Sequence, residues 1–325
     1  MHLVLVILLF ILGVLFIVKG GDLLIDACFM LSKISGISPI IIGATLVSLS
    51  TALPEITVSL IAIHHELYDL AVGNAIGSMI CNICLVLGAG ILLSPQKINL
   101  AEFQNKGSLL IFLNLLLFLL CFNFQIDFLE SVLLLTIFFM FFYYNLKEAK
   151  QSYNIKRNEK KMHLSKKKLL LSILQFLFSV GFIFIGSNLI VKNGEMLAQL
   201  LGLDGGVVGF TIIAVSTSLP ELITTILAVK KKNMELALGN IIGANIINIT
   251  LLFGLGGFIS GVSGLLVSSN ALYVLLPLLF IMTLLLLLPI FRTKKTHRLQ
   301  GIMLIIIYII YTIFILSTLI KHTST

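Results

Sequence analysis

Long apolar runs alternate with short polar breaks along the whole chain. Runs such as LVLVILLFILGVLFIV are longer than a soluble core requires and suit the roughly 20 apolar residues that cross a bilayer as one helix. Reading each run to the nearest Gly, Pro or charge predicts ten spans, near 3–32, 37–63, 70–93, 107–124, 128–146, 168–200, 205–229, 234–258, 271–290 and 299–319. The first and sixth exceed an upright span and are expected to tilt strongly or to end in interfacial turns. The first run has little positive charge before it and no small-residue cleavage pattern after it, so it reads as a retained helix. The longest polar stretch, 147–168, is too short and lysine-rich to bury a core and reads as a linker.

Composition agrees with this pattern. Mean hydropathy is +1.12, with 58% hydrophobic and 11% charged residues. The chain is read as an all-α polytopic membrane protein. Its net charge of +8 is a topology signal: of the 22 Lys and Arg residues, all but Lys19, Lys192 and Lys321 fall in one set of loops. Glu66, Asp69, Asp127 and Glu130 cluster on the other side. The positive-inside rule then places the basic loops in the cytoplasm and both termini outside a cell membrane. The basic excess suits anionic lipid on the cytoplasmic side and calls for no nucleic acid. Cys28, Cys81, Cys84 and Cys121 all lie in apolar segments and imply no disulfide framework. Cys81 and Cys84 form a C-x-x-C pair, but within a predicted membrane helix they read as small hydrophobes.

The chain also repeats itself. A shift of 166 residues, without gaps, aligns GATLVSLSTALPE (43–55) with GFTIIAVSTSLPE (209–221), and GNAIGSMICNI (73–83) with GNIIGANIINI (239–249). Gly20, Gly36 and Gly88 meet Gly186, Gly202 and Gly254 in the same register. Residues 1–146 therefore form a first five-helix repeat with its motif at 43–83. Residues 147–168 form a basic cytoplasmic linker, and 169–325 a second repeat with its motif at 209–249. Five spans per repeat make the second copy enter the membrane from the opposite side, so the repeats are inverted. Inverted repeats with discontinuous midplane helices are an architecture of secondary transporters.

Each motif places a proline and then a carboxylate inside an apolar run. A charged side chain at mid-bilayer costs at least about 2.5–3.5 kcal/mol, so Glu55 and Glu221 are functional candidates. Pro54 and Pro220 are expected to break their helices and to free the carbonyls of Thr51 and Thr217. Carbonyls beside a carboxylate make a hard oxygen site suited to sodium or calcium. Gly73, Gly77, Gly239 and Gly243 would let the following span pack closely and bring Ser78, Asn82 and Asn248 toward the broken helix.

The paired motifs resemble the alpha-repeats of the cation/calcium antiporter superfamily, most closely its prokaryotic sodium/calcium exchanger-like members. The resemblance covers about 45 residues in each half and the ten-span layout. It implies a ten-helix inverted-repeat antiporter whose central glutamates, here Glu55 and Glu221, hold calcium and sodium in turn. It further implies backbone ligands at Thr51, Thr217, Ser48 and Ala214, side-chain oxygens from Ser78 and Asn82, and Ser218 flanking the site. Ala52 and Ala244 stand where serines are usual, and Asn248 where archaeal exchangers of this type typically have an acid. Sodium is the expected counter-ion, with a proton-coupled exchanger of calcium or another divalent cation as the alternative. No cofactor is expected, and the chain is expected to act as a monomer.

Other readings fit less well. A protonated structural carboxyl would not recur at the same position behind proline in both motifs. Asn82 and Asn248 could simply bridge helices. His64 and His65, beside Glu66 at a span end, suit an interface, and the run IFFMFFYY suits lipid-facing bulk. An intramembrane hydrolase could use two acids as an aspartic dyad does, but the acids here are glutamates within broken helices and no Ser/His or HExxH pattern accompanies them, so the chain is not read as an enzyme. A channel fits an inverted repeat with one midplane site less well than alternating access does.

Overall fold

The computed structural model describes residues 2–159, 166–200 and 214–323. Among these, eight helices are long and apolar enough to cross a membrane. They are α1 (His2–Ser35), α2 (Pro39–His64), α3 (Tyr68–Leu93), α4 (Leu100–Leu120), α5 (Phe128–Glu159), α6 (Lys166–Leu200), α9 (Met234–Ser263) and α10 (Ala271–Thr293). The short α7 (Ala214–Thr217) and α8 (Leu219–Lys230) occupy the seventh predicted span, whose first part, 205–213, lies outside the described residues. The tenth span is α11 (Arg298–Thr323), of which Arg298–Ile313 is a shorter apolar helix. Gly202, the opening residues 209–213 of the second motif and linker residues 160–165 also lie outside the described residues.

The long first and sixth spans are continuous helices of 34 and 35 residues, with no interfacial turn. At about 1.5 Å per residue each is some 50 Å long, well beyond the roughly 30 Å hydrocarbon layer. They lie against each other through glycines. A Cβ at Gly13 would meet the Gly186 carbonyl at 2.8 Å, and one at Gly20 would meet Phe182 Cβ at 2.9 Å. Interhelical approach of this kind is what small residues permit in a membrane.

Four expectations change. Glu-, Lys- and Ala-containing chain beyond residue 147 continues α5 as helix to Glu159, because these residues are good helix formers, so the linker begins as helix. Lys106, expected in a loop, is buried inside α4, with its ammonium 2.7 Å from Glu148 of α5. Pairing offsets the cost of burying that charge. Within the run expected to face lipid, Phe138 and Phe141 are buried, while Phe139 and Tyr143 are exposed. Helical periodicity gives such a run two faces.

The fourth change concerns the broken helices. α2 passes Pro54 without interruption and instead widens to a π turn at Gly43–Val47, two turns earlier. The donor Pro54 lacks would have served Ser50, four residues back, and surrounding buried helices can offset that loss. The second motif does break: Ser218 leaves the helix with ψ near 0° between α7 and α8, and Pro220 then sits in the first turn of α8. A third proline shows how a lost donor is replaced. Pro289 deprives the Leu285 carbonyl, and Gln300 Nε2 of α11 donates to it at 3.3 Å and to Leu286 O at 2.6 Å.

The loops also pair. β1 (Gln125–Ile126) lies antiparallel to β2 (Leu265–Leu266), joining the α4–α5 and α9–α10 connections. The α3–α4 and α10–α11 connections join likewise, through Ile98 N to Lys294 O at 2.9 Å and Thr296 N to Gln96 O at 3.0 Å.

Candidate ion-binding site

α2 and α9 cross at the centre of the fold, and glycine decides how closely. A Cβ at Gly243 would stand 2.6 Å from Ala44 Cα and 2.7 Å from Ser48 Oγ, and one at Gly43 would stand 2.8 Å from Asn240 N. Gly239 approaches Ile40 and Ala44. The glycines of the second GN-x-x-G thus pack α9 against the α2 of the other half, where packing against its own half was expected.

Helical spacing aligns the polar groups. Asn74, Ser78 and Asn82 recur every four residues on α3, and Asn240, Ala244 and Asn248 do so on α9, so each set forms one stripe. Glu55 and Thr51 share a face of α2. Thr217, Ser218 and Glu221 surround the α7–α8 break. Glu55, Glu221, Thr51, Thr217, Asn82 and Asn248 are all fully buried.

Hydrogen bonds knit these stripes across the two halves. Ser78 donates to Glu55 Oε1 at 2.6 Å, and its hydroxyl oxygen lies 2.9 Å from that of Ser218, three residues before Glu221. Glu221 lies within electrostatic reach of Glu55 and beside Thr51. Thr51 donates to Asn240 Oδ1 at 3.2 Å, and Thr217 to Asn74 Oδ1 at 3.4 Å. Asn82 Nδ2 donates to Asn245 Oδ1 at 3.2 Å, and Asn245 Nδ2 to Met79 O at 3.2 Å. Ser48 Oγ donates to Thr45 O at 3.3 Å, while its carbonyl accepts from Thr51 at 3.5 Å. Ala214 begins α7, and its side chain lies outside the described residues.

Several buried atoms have no hydrogen-bond partner among the described residues. At the site they are Glu55 Oε2, both carboxylate oxygens of Glu221, Asn82 Oδ1 and both amide atoms of Asn248; elsewhere they are single atoms of Asn114, Asn145, Ser187, Thr225 and Gln300. Among the described residues neither glutamate forms an ion pair with Lys, Arg or His. Buried polar atoms in folded proteins are nearly always satisfied, and an uncompensated buried carboxylate costs several kcal/mol. Asn82 and Asn248, equivalent under the 166-residue shift, also each open a π turn, Asn82–Val86 and Asn248–Leu252. A π turn is frequent at functional sites because it re-aims backbone and side-chain groups.

His64 and His65 are exposed, and the four cysteines are buried and unpaired. Among the described residues, no three His, Cys, Asp or Glu side chains come together to hold a metal. Ala52 and Ala244 are buried and bring only methyl groups to positions where serine oxygens were sought. Asn74, Asn240 and Asn245 are the residues sequence reasoning left without a role. The signal for the first two was present, since both are the Asn of GN at matching repeat positions.

Known proteins resemble this chain in sequence and fold. The sodium/calcium exchanger protein family matches residues 5–147 and 171–317. The inner membrane protein YrbG of Escherichia coli is 34% identical over 78% of this chain and 79% of its own. The sodium/calcium exchanger MaX1 of Methanosarcina acetivorans is 31% identical over 77% of this chain and 82% of its own. A solved structure of the sodium-calcium exchanger NCX_Mj superposes with a TM-score of 0.82 at 28% identity, covering 95% of this chain and 97% of that one. Because the match spans both halves, including α2, α3, α8 and α9, the chain belongs to the sodium/calcium exchanger protein family.

Proposed function

We propose that this chain is an antiporter that exchanges calcium for sodium by alternating access at a site centred on Glu55 and Glu221. The observation that carries this reading is the set of buried, unpartnered oxygens on two carboxylates, with Ser78 bonded to Glu55 and to Ser218, three residues before Glu221. Two carboxylates carry the charge that one calcium or two sodium ions neutralise. Calcium takes about six to eight oxygens, and the carboxylates cannot supply them alone. The backbone carbonyls of Thr51, Thr217, Ser48 and Ala214 and the side chains of Ser78, Asn82, Ser218 and Asn248 complete the set. Membership of the exchanger family and the likeness to NCX_Mj support sodium and calcium as the cargo. No bond is made or broken, so the protein is a transporter, and no cofactor enters the cycle.

In this reading the chain has ten membrane helices in two inverted five-helix repeats, residues 1–146 and 169–325, joined through the cytoplasmic segment 147–168. Both termini face outward, anionic lipid meets the basic face, and one copy suffices. Contacts that recur under the same 166-residue shift support the repeat. Thr51 to Asn240 matches Thr217 to Asn74, and Gly88 beside Gly301 matches Gly254 beside Leu135.

The test is calcium uptake into vesicles holding the purified protein, driven separately by an outward sodium gradient and an outward proton gradient. Sodium-driven uptake is expected. Ala52, Ala244 and Asn248 remove two oxygens and one ionisable group relative to the usual pattern, which favours the proton-coupled exchanger as the second reading. Uptake driven by protons alone would establish it, and calcium flux without either gradient would indicate a channel.

A further inference from the structure

We infer that Lys231, Asp22 and Asp26 form a one-sided latch that sets which face of the membrane the ion site opens to, and with it the apparent ion affinity of each face. The inference rests on the alternating-access reading above. Its evidence is a comparison the molecule makes with itself.

The turn that follows α2 and the turn that follows α8 share two backbone hydrogen bonds and a left-handed residue. Leu67 N donates to Ala62 O and Asn233 N to Ala228 O, both at 2.9 Å, and the pairs are 166 residues apart. Glu66 N to Ile63 O and Lys232 N to Val229 O match in the same way, both at 2.9 Å. Glu66 and Lys232 share the left-handed conformation, with φ of 60° and 59°. Any difference in how the two turns close therefore comes from side chains.

At the α8 turn, Lys231 Nζ lies 2.7 Å from Asp22 Oδ1 and 2.8 Å from Asp26 Oδ1. The two acids are one helical turn apart on α1, so a single ammonium spans both. α1 then lies directly on α8. A Cβ at Gly21 would meet Ile223 at 3.2 Å and Leu227 at 3.5 Å. At the α2 turn the equivalent residues are His65, Asn188 and Lys192, with Ser187 in place of Gly21. None of these three is an acid, and Asn188 Nδ2 donates to Phe184 O of its own helix. In place of a closed contact there is a cleft of about 310 Å³ between α2 and α6, walled by Thr57, Ile61, His65, Asn188 and Lys192 among others. The α1–α8 contact is thus bridged by charge, and a cleft stands at the equivalent α2–α6 contact. The sequence can build this closure at one end only.

Partly exposed ion pairs each bias an equilibrium by roughly 1.5- to 5-fold. At roughly 1.7- to 3.2-fold each, within that range, two acids on one lysine favour the state closed at the basic face by about three- to tenfold, and apparent affinity follows the fraction of competent protein. Because Lys231 and both acids are partly exposed, high salt weakens the latch.

The experiment places a reporter cysteine beneath the latch, Ile223→Cys, and labels it with an impermeant thiol reagent from the basic-loop face. Since all four native cysteines are buried, the background is low. Asp22→Asn with Asp26→Asn should speed labelling three- to tenfold and lower by a similar factor the calcium concentration for half-maximal exchange on that face. Exchanging the charges, Asp22→Lys and Asp26→Lys with Lys231→Glu, should restore slow labelling. Building the missing latch, His65→Lys with Asn188→Asp and Lys192→Asp, should slow labelling of Thr57→Cys from the opposite face. Unchanged labelling in the neutralised variant, or no recovery on exchanging the charges, overturns the latch. Labelling needs no transport, so a protein that labels as expected but moves no calcium refutes the exchange reading instead.

Discussion

Thr51 donates its hydroxyl to Asn240 Oδ1 across the boundary between the two halves, at 3.2 Å. The contact joins the residue four positions before Glu55 to the Asn of the second GN motif, so α9 holds the α2 segment beside the acid in place. Thr51→Val leaves a buried acceptor unpaired, which costs about 1–3 kcal/mol. The purified variant should therefore melt lower in a thermal scan, while Thr51→Ser, which keeps the hydroxyl, should melt near the wild type. Equal melting of the two variants would mean that the bond contributes nothing.

Glu55→Gln and Glu221→Gln should each abolish exchange without loss of expression. The amide oxygen can still accept from Ser78, so the fold keeps its bond, but the charge opposing the cation falls by half. Calcium binding to each purified variant is the measurement. Binding at wild-type affinity by either one would refute the site assignment.

Gly243→Ala should be among the most damaging single methyl additions in the chain. Its Cβ would lie 2.6 Å from Ala44 Cα and 2.7 Å from Ala44 O, atoms of a backbone that cannot turn aside. The cost should reach or exceed the roughly 1–3 kcal/mol typical of overpacking, with calcium affinity lost as α2 and α9 separate. Gly181→Ala on α6 is the control. Nothing lies within 4 Å of its Cβ, so the substitution should leave melting unchanged or raise it.

Asn248→Asp addresses the position where an acid is usual. Asn has the shape of a protonated carboxyl, and both its amide atoms lie unpartnered in the site. The variant should exchange at neutral pH and acquire a new pH dependence as the added carboxyl titrates. Reversal potentials in vesicles read the number of sodium ions per calcium, which should stay constant. A changed number would show that Asn248 sets stoichiometry.

Asn158→Cys, near the C-terminal end of α5, should be labelled by an impermeant thiol reagent only from the cytoplasmic side of intact cells. Labelling from outside would overturn both the inverted arrangement and the assignment of the basic loops.

The sequence alone determined the membrane class, most helix boundaries and the 166-residue sequence repeat, and it singled out Glu55 and Glu221, which the fold buries, because each is written in local composition or spacing. Apolar length decides what can cross a bilayer, and a carboxylate in such a run is costly enough to stand out. What only the tertiary structure decided involves partners distant along the chain. Proline in the first motif promised a break, but α2 runs straight through Pro54, and only the second motif parts, at Ser218. The GN glycines promised close packing, and folding gave the second pair to the opposite half. Lys106 looked like a loop residue until Glu148 appeared beside it. Two turns that share backbone hydrogen bonds close differently, because Asp22 and Asp26, some 200 residues before Lys231, stand beneath one of them and not the other. Ion pairs and buried hydrogen bonds depend on distance in space, which local composition does not encode.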